Sequence, residues 1–158
     1  MPAQRRMSAV RLLTPILALL GFSLLAGTPA RADAGMAAAA VSANGGLAAC
    51  SANTGKALYD CIANVLDRLS SDITAPGVPE TRRALSNAAA KLRAATTKAQ
   101  ALSAVTQCRA LISGALAKVR ALGGGYVAGW GGGAGGGSGL AAVADVLARA
   151  AKLIQTKG

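Results

Sequence analysis

Apolar positions recur at helical spacing along most of this chain, and the runs are separated by proline, glycine or a hydroxyl cap. Residues 54–74 show the pattern first. Leu58, Ile62, Val65, Leu66, Leu69 and Ile73 fall on one face of a helix, while Lys56, Asp60, Asn64, Asp67 and Ser71 fall on the other. Thr54 stands where an N-cap belongs, and Cys61 lies at the edge of the apolar stripe beside Arg68 and Asp72.

Pro76-Gly77-Val78-Pro79 predicts a turn, with Pro79 at the first position of a second helix, where a missing N–H costs nothing. That helix runs to about residue 96. Its apolar face is thin, Leu85 and Leu92 flanked by Ala88, Ala89 and Ala95. Thr97 and Gln100 have the spacing of a capping box, so a third helix is expected to start there rather than the second to continue. Its stripe is the fullest in the chain: Leu102, Val105, Cys108, Leu111, Ile112, Leu116, Val119 and Leu122.

Residues 123–139 are glycine-rich, and glycine at that density predicts a flexible linker because ordering it costs too much entropy. Residues 140–156 resume the helical period, with Leu140, Val143, Leu147, Ala151 and Ile154 opposite Asp145, Arg149 and Lys152. This amphipathic helix has two readings: it completes a four-helix bundle, or it lies on a membrane or partner. Residues 33–53 are small and low in complexity and predict a flexible Ala/Gly-rich arm. The expected fold class is therefore all-α, with an Ala-rich three-helix core over 54–122.

Residues 1–32 have the layout of a signal peptide. Arg5, Arg6 and Arg11 precede an apolar run from Leu12 to Gly27, and Ala30-Arg31-Ala32 offers small side chains at the cleavage site, so cleavage is expected between Ala32 and Asp33. The rivals are an uncleaved membrane anchor, which a short run containing Pro15 suits less well, and a twin-arginine signal from Arg5-Arg6. Export to the periplasm or beyond follows. With the alanine-rich composition, it suggests a bacterial envelope of Gram-negative type.

The signal holds four of the 17 basic residues and none of the six acidic ones, which leaves 13 against six and a net charge of +7 on residues 33–158. Such a balance serves solubility, and it also favours anionic partners, an envelope surface or polymer ahead of nucleic acid. After the signal, the aromatics are Tyr59, Tyr126 and Trp130 alone. The latter two are expected to cover apolar helix faces, with stacking on a sugar, base or headgroup as the rival role.

The chain has no histidine, which removes the Ser-His and Cys-His pairs and most zinc sites. No serine has lysine three residues on. Glu80 is the sole glutamate, and Asp60 and Asp67 sit on a polar face that they solvate. Gly131, Gly133 and Gly136 match a dinucleotide-binding spacing, but no strand precedes them and no acidic residue lies about twenty positions on. No catalytic residue, metal site or cofactor is expected, and a non-enzymatic binding or structural protein of the envelope is.

Three cysteines in an exported chain predict one disulfide and one spare thiol. A Cys61–Cys108 bond would staple the first helix to the third; Cys50 is the alternative partner for either. Leu47-Ala48-Ala49-Cys50 also has the letters of a bacterial lipobox, though Asn44-Gly45-Gly46 separates it from the apolar run. Cys50 is thus expected as a free thiol, a link between two copies, or a lipid anchor.

Overall fold

The computed structural model of the protein describes residues 29–74, 79–121 and 136–158, and within them every regular element is an α-helix. The helices are α1 (Pro29–Cys50), α2 (Gly55–Asp72), α3 (Pro79–Ala94), α4 (Lys98–Ala121) and α5 (Gly136–Lys157). Residues 1–28, the Pro76–Val78 part of the expected turn, Leu122, and Tyr126 and Trp130 of the glycine tract lie outside the described residues.

The expected arm is overturned. Residues 29–50 form a 22-residue helix whose Met36, Ala39, Ala40, Ala43, Leu47 and Cys50 are buried. Alanine is the strongest helix former, so the composition that looked like an arm holds a helix once a neighbour is there to pack on. The neighbour is α2. A Cβ on Gly46 would stand 2.9 Å from Val65 Cγ2, so this glycine lets two backbones approach rather than loosening the chain.

α2 buries Leu58, Ile62, Leu66 and Leu69, with Ile73 just beyond its end, as the stripe predicts; Val65 is half-buried. Thr54 occupies the N-cap with extended backbone but makes no side-chain capping bond. The break between α3 and α4 is the expected capping box: Gln100 N–H donates to Thr97 Oγ1 at 3.3 Å, and Thr97 N–H donates to Gln100 Oε1 at 3.3 Å. In α4 the buried line is Ala101, Ala104, Val105, Cys108, Ile112, Ala115, Leu116 and Val119. Leu111 was expected on this line and is instead 65 % exposed. It lies at the α3 edge, where α3 offers only the thin side of its face.

α5 begins at Gly136, four residues before the expected Leu140, and so takes in the end of the expected linker. Leu140, Val143, Val146, Leu147, Ala150 and Ile154 are fully buried. The helix is part of the bundle, and its apolar side is not available to a membrane. Each helix packs on its neighbours in sequence, and α5 returns to pack on α1, so the bundle is a closed ring of five rather than four. Short connections make the consecutive pairs α1–α2, α2–α3 and α3–α4 antiparallel, and Gly137 at the start of α5 lies beside Leu116 near the end of α4, so that pair is antiparallel too. Lys157 Nζ donates to the carbonyl of Ser51, bringing the C-terminal ends of α1 and α5 together.

Candidate functional site

The expected Cys61–Cys108 bond is corrected. Cys50 and Cys61 form the disulfide, with their Cα atoms 5.7 Å apart. The reason is α1. Cys50 is its last residue, and Asn53 N–H donates to the Cys50 carbonyl at 3.0 Å in the tight turn that follows. Two turns into α2 the returning chain brings Cys61 back beside Cys50. α2 and α4 are not neighbours in the ring, since α3 stands between them. The bond closes a short loop, worth about 3 kcal/mol in the chain-entropy model.

Cys50 is therefore neither the spare thiol nor, in this state, an available lipid acceptor; its sulfur is bonded and the residue is fully buried. The free cysteine is Cys108, 3 % exposed in the middle of α4. Burial pushes its thiol up to about 12, so it stays protonated and unreactive near neutral pH. A link between two copies through it would require the core to open. The expected cleavage bond, Ala32–Asp33, falls within the first turns of α1.

The two aspartates weighed for acid–base work are engaged on the surface. Asp60 pairs with Lys56 four residues before it, and Asp67 accepts Arg93 Nη2 at 2.5 Å. Arg93 also donates to Asn64 Oδ1 at 2.9 Å, tying α3 to α2. Among the described residues, no three His, Cys, Asp or Glu side chains gather where a metal could sit.

The basic residues are distributed unevenly, although Arg93 pairs with Asp67 and Arg82 Nε donates to the Ser70 carbonyl at 3.1 Å, both on α2. α3 carries Arg82, Arg83, Lys91 and Arg93; α4 carries Lys98, Arg109, Lys118 and Arg120; Glu80 is the one acidic residue on the pair. The rest of residues 33–158 holds five basic and five acidic residues. The whole net charge of +7 thus belongs to one antiparallel pair of helices. Lys98, Arg109 and Arg120 are exposed at intervals of 11 residues. That interval is three helical turns, so they form a straight row with a spacing of about 16 Å. Summation over the whole chain hides this, although the imbalance is confined to the contiguous residues 79–121.

A groove of about 420 Å³ opens between the two helices, lined by Glu80, Thr81 and Ala84 of α3 and by Leu111, Ile112, Gly114, Ala115 and Lys118 of α4. Thr81 is 2 % exposed, and its hydroxyl has no hydrogen-bond partner. Lys91 Nζ donates to Gln107 Oε1 at 2.8 Å and closes the seam beyond the groove. Nothing in the sequence pattern marked this groove; the one signal was Leu111, an expected core residue that the thin face of α3 could not cover. Comparison with protein-family models, with curated proteins and with solved structures finds no match for the chain.

Proposed function

We propose that this chain is an exported, non-enzymatic protein of a bacterial envelope that holds an anionic membrane surface through α3 and α4. The observation that carries this reading is the segregation of charge: eight basic residues against one acidic on that pair of helices, and balance elsewhere in residues 33–158. A helix pair with this excess of charge attracts an anionic surface over several ångströms and is screened by salt. Leu111, 65 % exposed on the same pair and lining a groove with Lys118, favours a lipid surface over a hydrophilic polymer, because an exposed apolar side chain gains by entering the headgroup region. The signal-like residues 1–32 and the Cys50–Cys61 bond support export, and among the described residues no helix is long and apolar enough to cross a membrane.

Co-sedimentation with vesicles tests the reading. Phosphatidylglycerol vesicles are expected to pellet the protein at low salt and release it at high salt, while phosphatidylcholine vesicles leave it in the supernatant. Reversing Arg109 and Arg120 to glutamate is expected to abolish most of the pelleting; reversing Arg149 and Lys152 on α5 is expected to change it little. Equal pelleting by neutral and anionic vesicles, or equal effects of the two reversals, would sink the proposal.

A further inference from the structure

The groove between α3 and α4 has the composition of a small binding site rather than of a packing defect. Its volume of about 420 Å³ is in the range of small-molecule pockets. Ala84, Leu111, Ile112 and Ala115 make it mainly apolar, and its polar groups are few: Glu80, Thr81 and Lys118. The Thr81 hydroxyl is the unusual member. A hydroxyl taken out of water without a partner costs free energy. Here the side chain is almost wholly buried at the groove with no bond made.

The long dimension of the groove has a polar end. α3 and α4 run antiparallel, and the Lys91–Gln107 bond sets their register. Counted from that bond, Lys118 comes level with Glu80, and Leu111 lies nearer the middle of the pair. Lys118 and Glu80 make no ion pair with each other. Glu80 and Thr81 belong to the first turn of α3, where unpaired N–H groups give the helix its positive end. A positive helix end and a lysine therefore meet at one end of an apolar trough, with the unpartnered Thr81 hydroxyl buried in its wall, within the two helices that carry all of the excess positive charge.

We propose that this groove takes the apolar tail of a single-chain anionic amphiphile and sets its charged head at Lys118 and the first turn of α3. The inference rests on the reading of α3 and α4 as an anionic-membrane face and names one kind of molecule that the face would draw from the surface. Glu80 opposes the head and weakens its binding, so the site is tuned for exchange rather than for tight retention.

Gly114 makes the proposal testable without disturbing the core. It lines the groove, and a Cβ built there meets nothing within 4 Å. Gly114→Leu fills the trough while improving helix propensity, so the variant is expected to fold with an unchanged or higher Tm. The probe is dodecyl phosphate below its micelle concentration, titrated by calorimetry into the full chain. Saturable binding at one site is expected. Gly114→Leu should weaken it by about tenfold or more, which is about 1.4 kcal/mol. Gly45→Leu, an equally open glycine on α1, should bind like the parent. Lys118→Gln should weaken binding and Glu80→Gln should strengthen it, and dodecyltrimethylammonium, with the opposite head charge, should not bind at the site.

The proposal is overturned by the absence of saturable binding, by binding of the cationic amphiphile as strong as that of the phosphate, or by a Gly114→Leu variant that binds as the parent does. Its failure is separable from that of the membrane reading. Gly114→Leu retains every charge, so it should still pellet with phosphatidylglycerol vesicles. A chain that pellets yet binds no dodecyl phosphate loses the groove and keeps the surface, whereas one that binds dodecyl phosphate at the groove but fails to pellet loses the surface.

Discussion

Cys108 shows how burial changes the character of a residue. In water a cysteine thiol is reactive at slightly alkaline pH; at the centre of α4 it behaves as a small apolar side chain. Thiol reagents at neutral pH are expected to leave Cys108 unlabelled in the native protein and to label it fully in denaturant, as read by intact mass. The same burial makes stability depend on pH. The thiol is raised from an ordinary 9.0 to about 12 in the fold, so folding favours its protonated form. Its contribution is complete below pH 9.0 and is lost as pH rises from there toward about 12. Urea unfolding of the parent and of Cys108→Ala should therefore show a stability difference that shifts against the parent in that alkaline window. A difference that is independent of pH would contradict the assignment.

At the scale of the helix, α1 holds the clearest lesson about small residues. Gly45 and Gly46 are adjacent and read alike in the sequence, but they face different surroundings. A Cβ at Gly45 meets open space, whereas one at Gly46 meets Val65 Cγ2 at 2.9 Å, and a valine side chain has little freedom to yield. Gly45→Ala is expected to stabilise the protein by about 0.5–1 kcal/mol through helix propensity. Gly46→Ala gains the same propensity and then loses more, by forcing α1 and α2 apart. Thermal unfolding should move in opposite directions for the two. α2, α3, the Thr97 capping box and the stripe of α5 were legible because large apolar side chains alternate there with charges. α1 was not, because alanine occupies both its buried and its exposed positions: Ala39, Ala40 and Ala43 face the core, Ala38, Ala48 and Ala49 face solvent. The misplaced disulfide follows from that one omission, since Cys50 has no defined position until α1 exists. The groove was illegible for a different reason. It is a property of two helices side by side, and the thin face of α3 becomes a trough only where Leu111 and Gly114 stand opposite.

The helices of the described residues form a ring with an odd number of members. Helices that alternate in direction can close such a ring only through one parallel contact, which falls between α1 and α5. This contact joins the two ends of the described chain and has no short connection to enforce it, so it depends on side-chain packing and on the Lys157–Ser51 hydrogen bond. Removing residues 136–158 would uncover apolar faces on both α1 and α4. The truncated chain is expected to lose its cooperative thermal transition in circular dichroism; retention of the parent Tm would mean that α5 contributes nothing to the core. The solitary thiol inside this ring also bears on how the chain matures. In an unfolded chain the short Cys50–Cys61 loop is favoured over the Cys61–Cys108 loop by only about 1 kcal/mol of closure entropy, a modest bias. Collapse sharpens the choice, because a packed α4 withdraws Cys108 from any oxidant. A chain oxidised after its helices have packed has one pairing open to it, and a chain oxidised earlier has three, so the timing of oxidation relative to collapse governs the yield of correctly bonded protein.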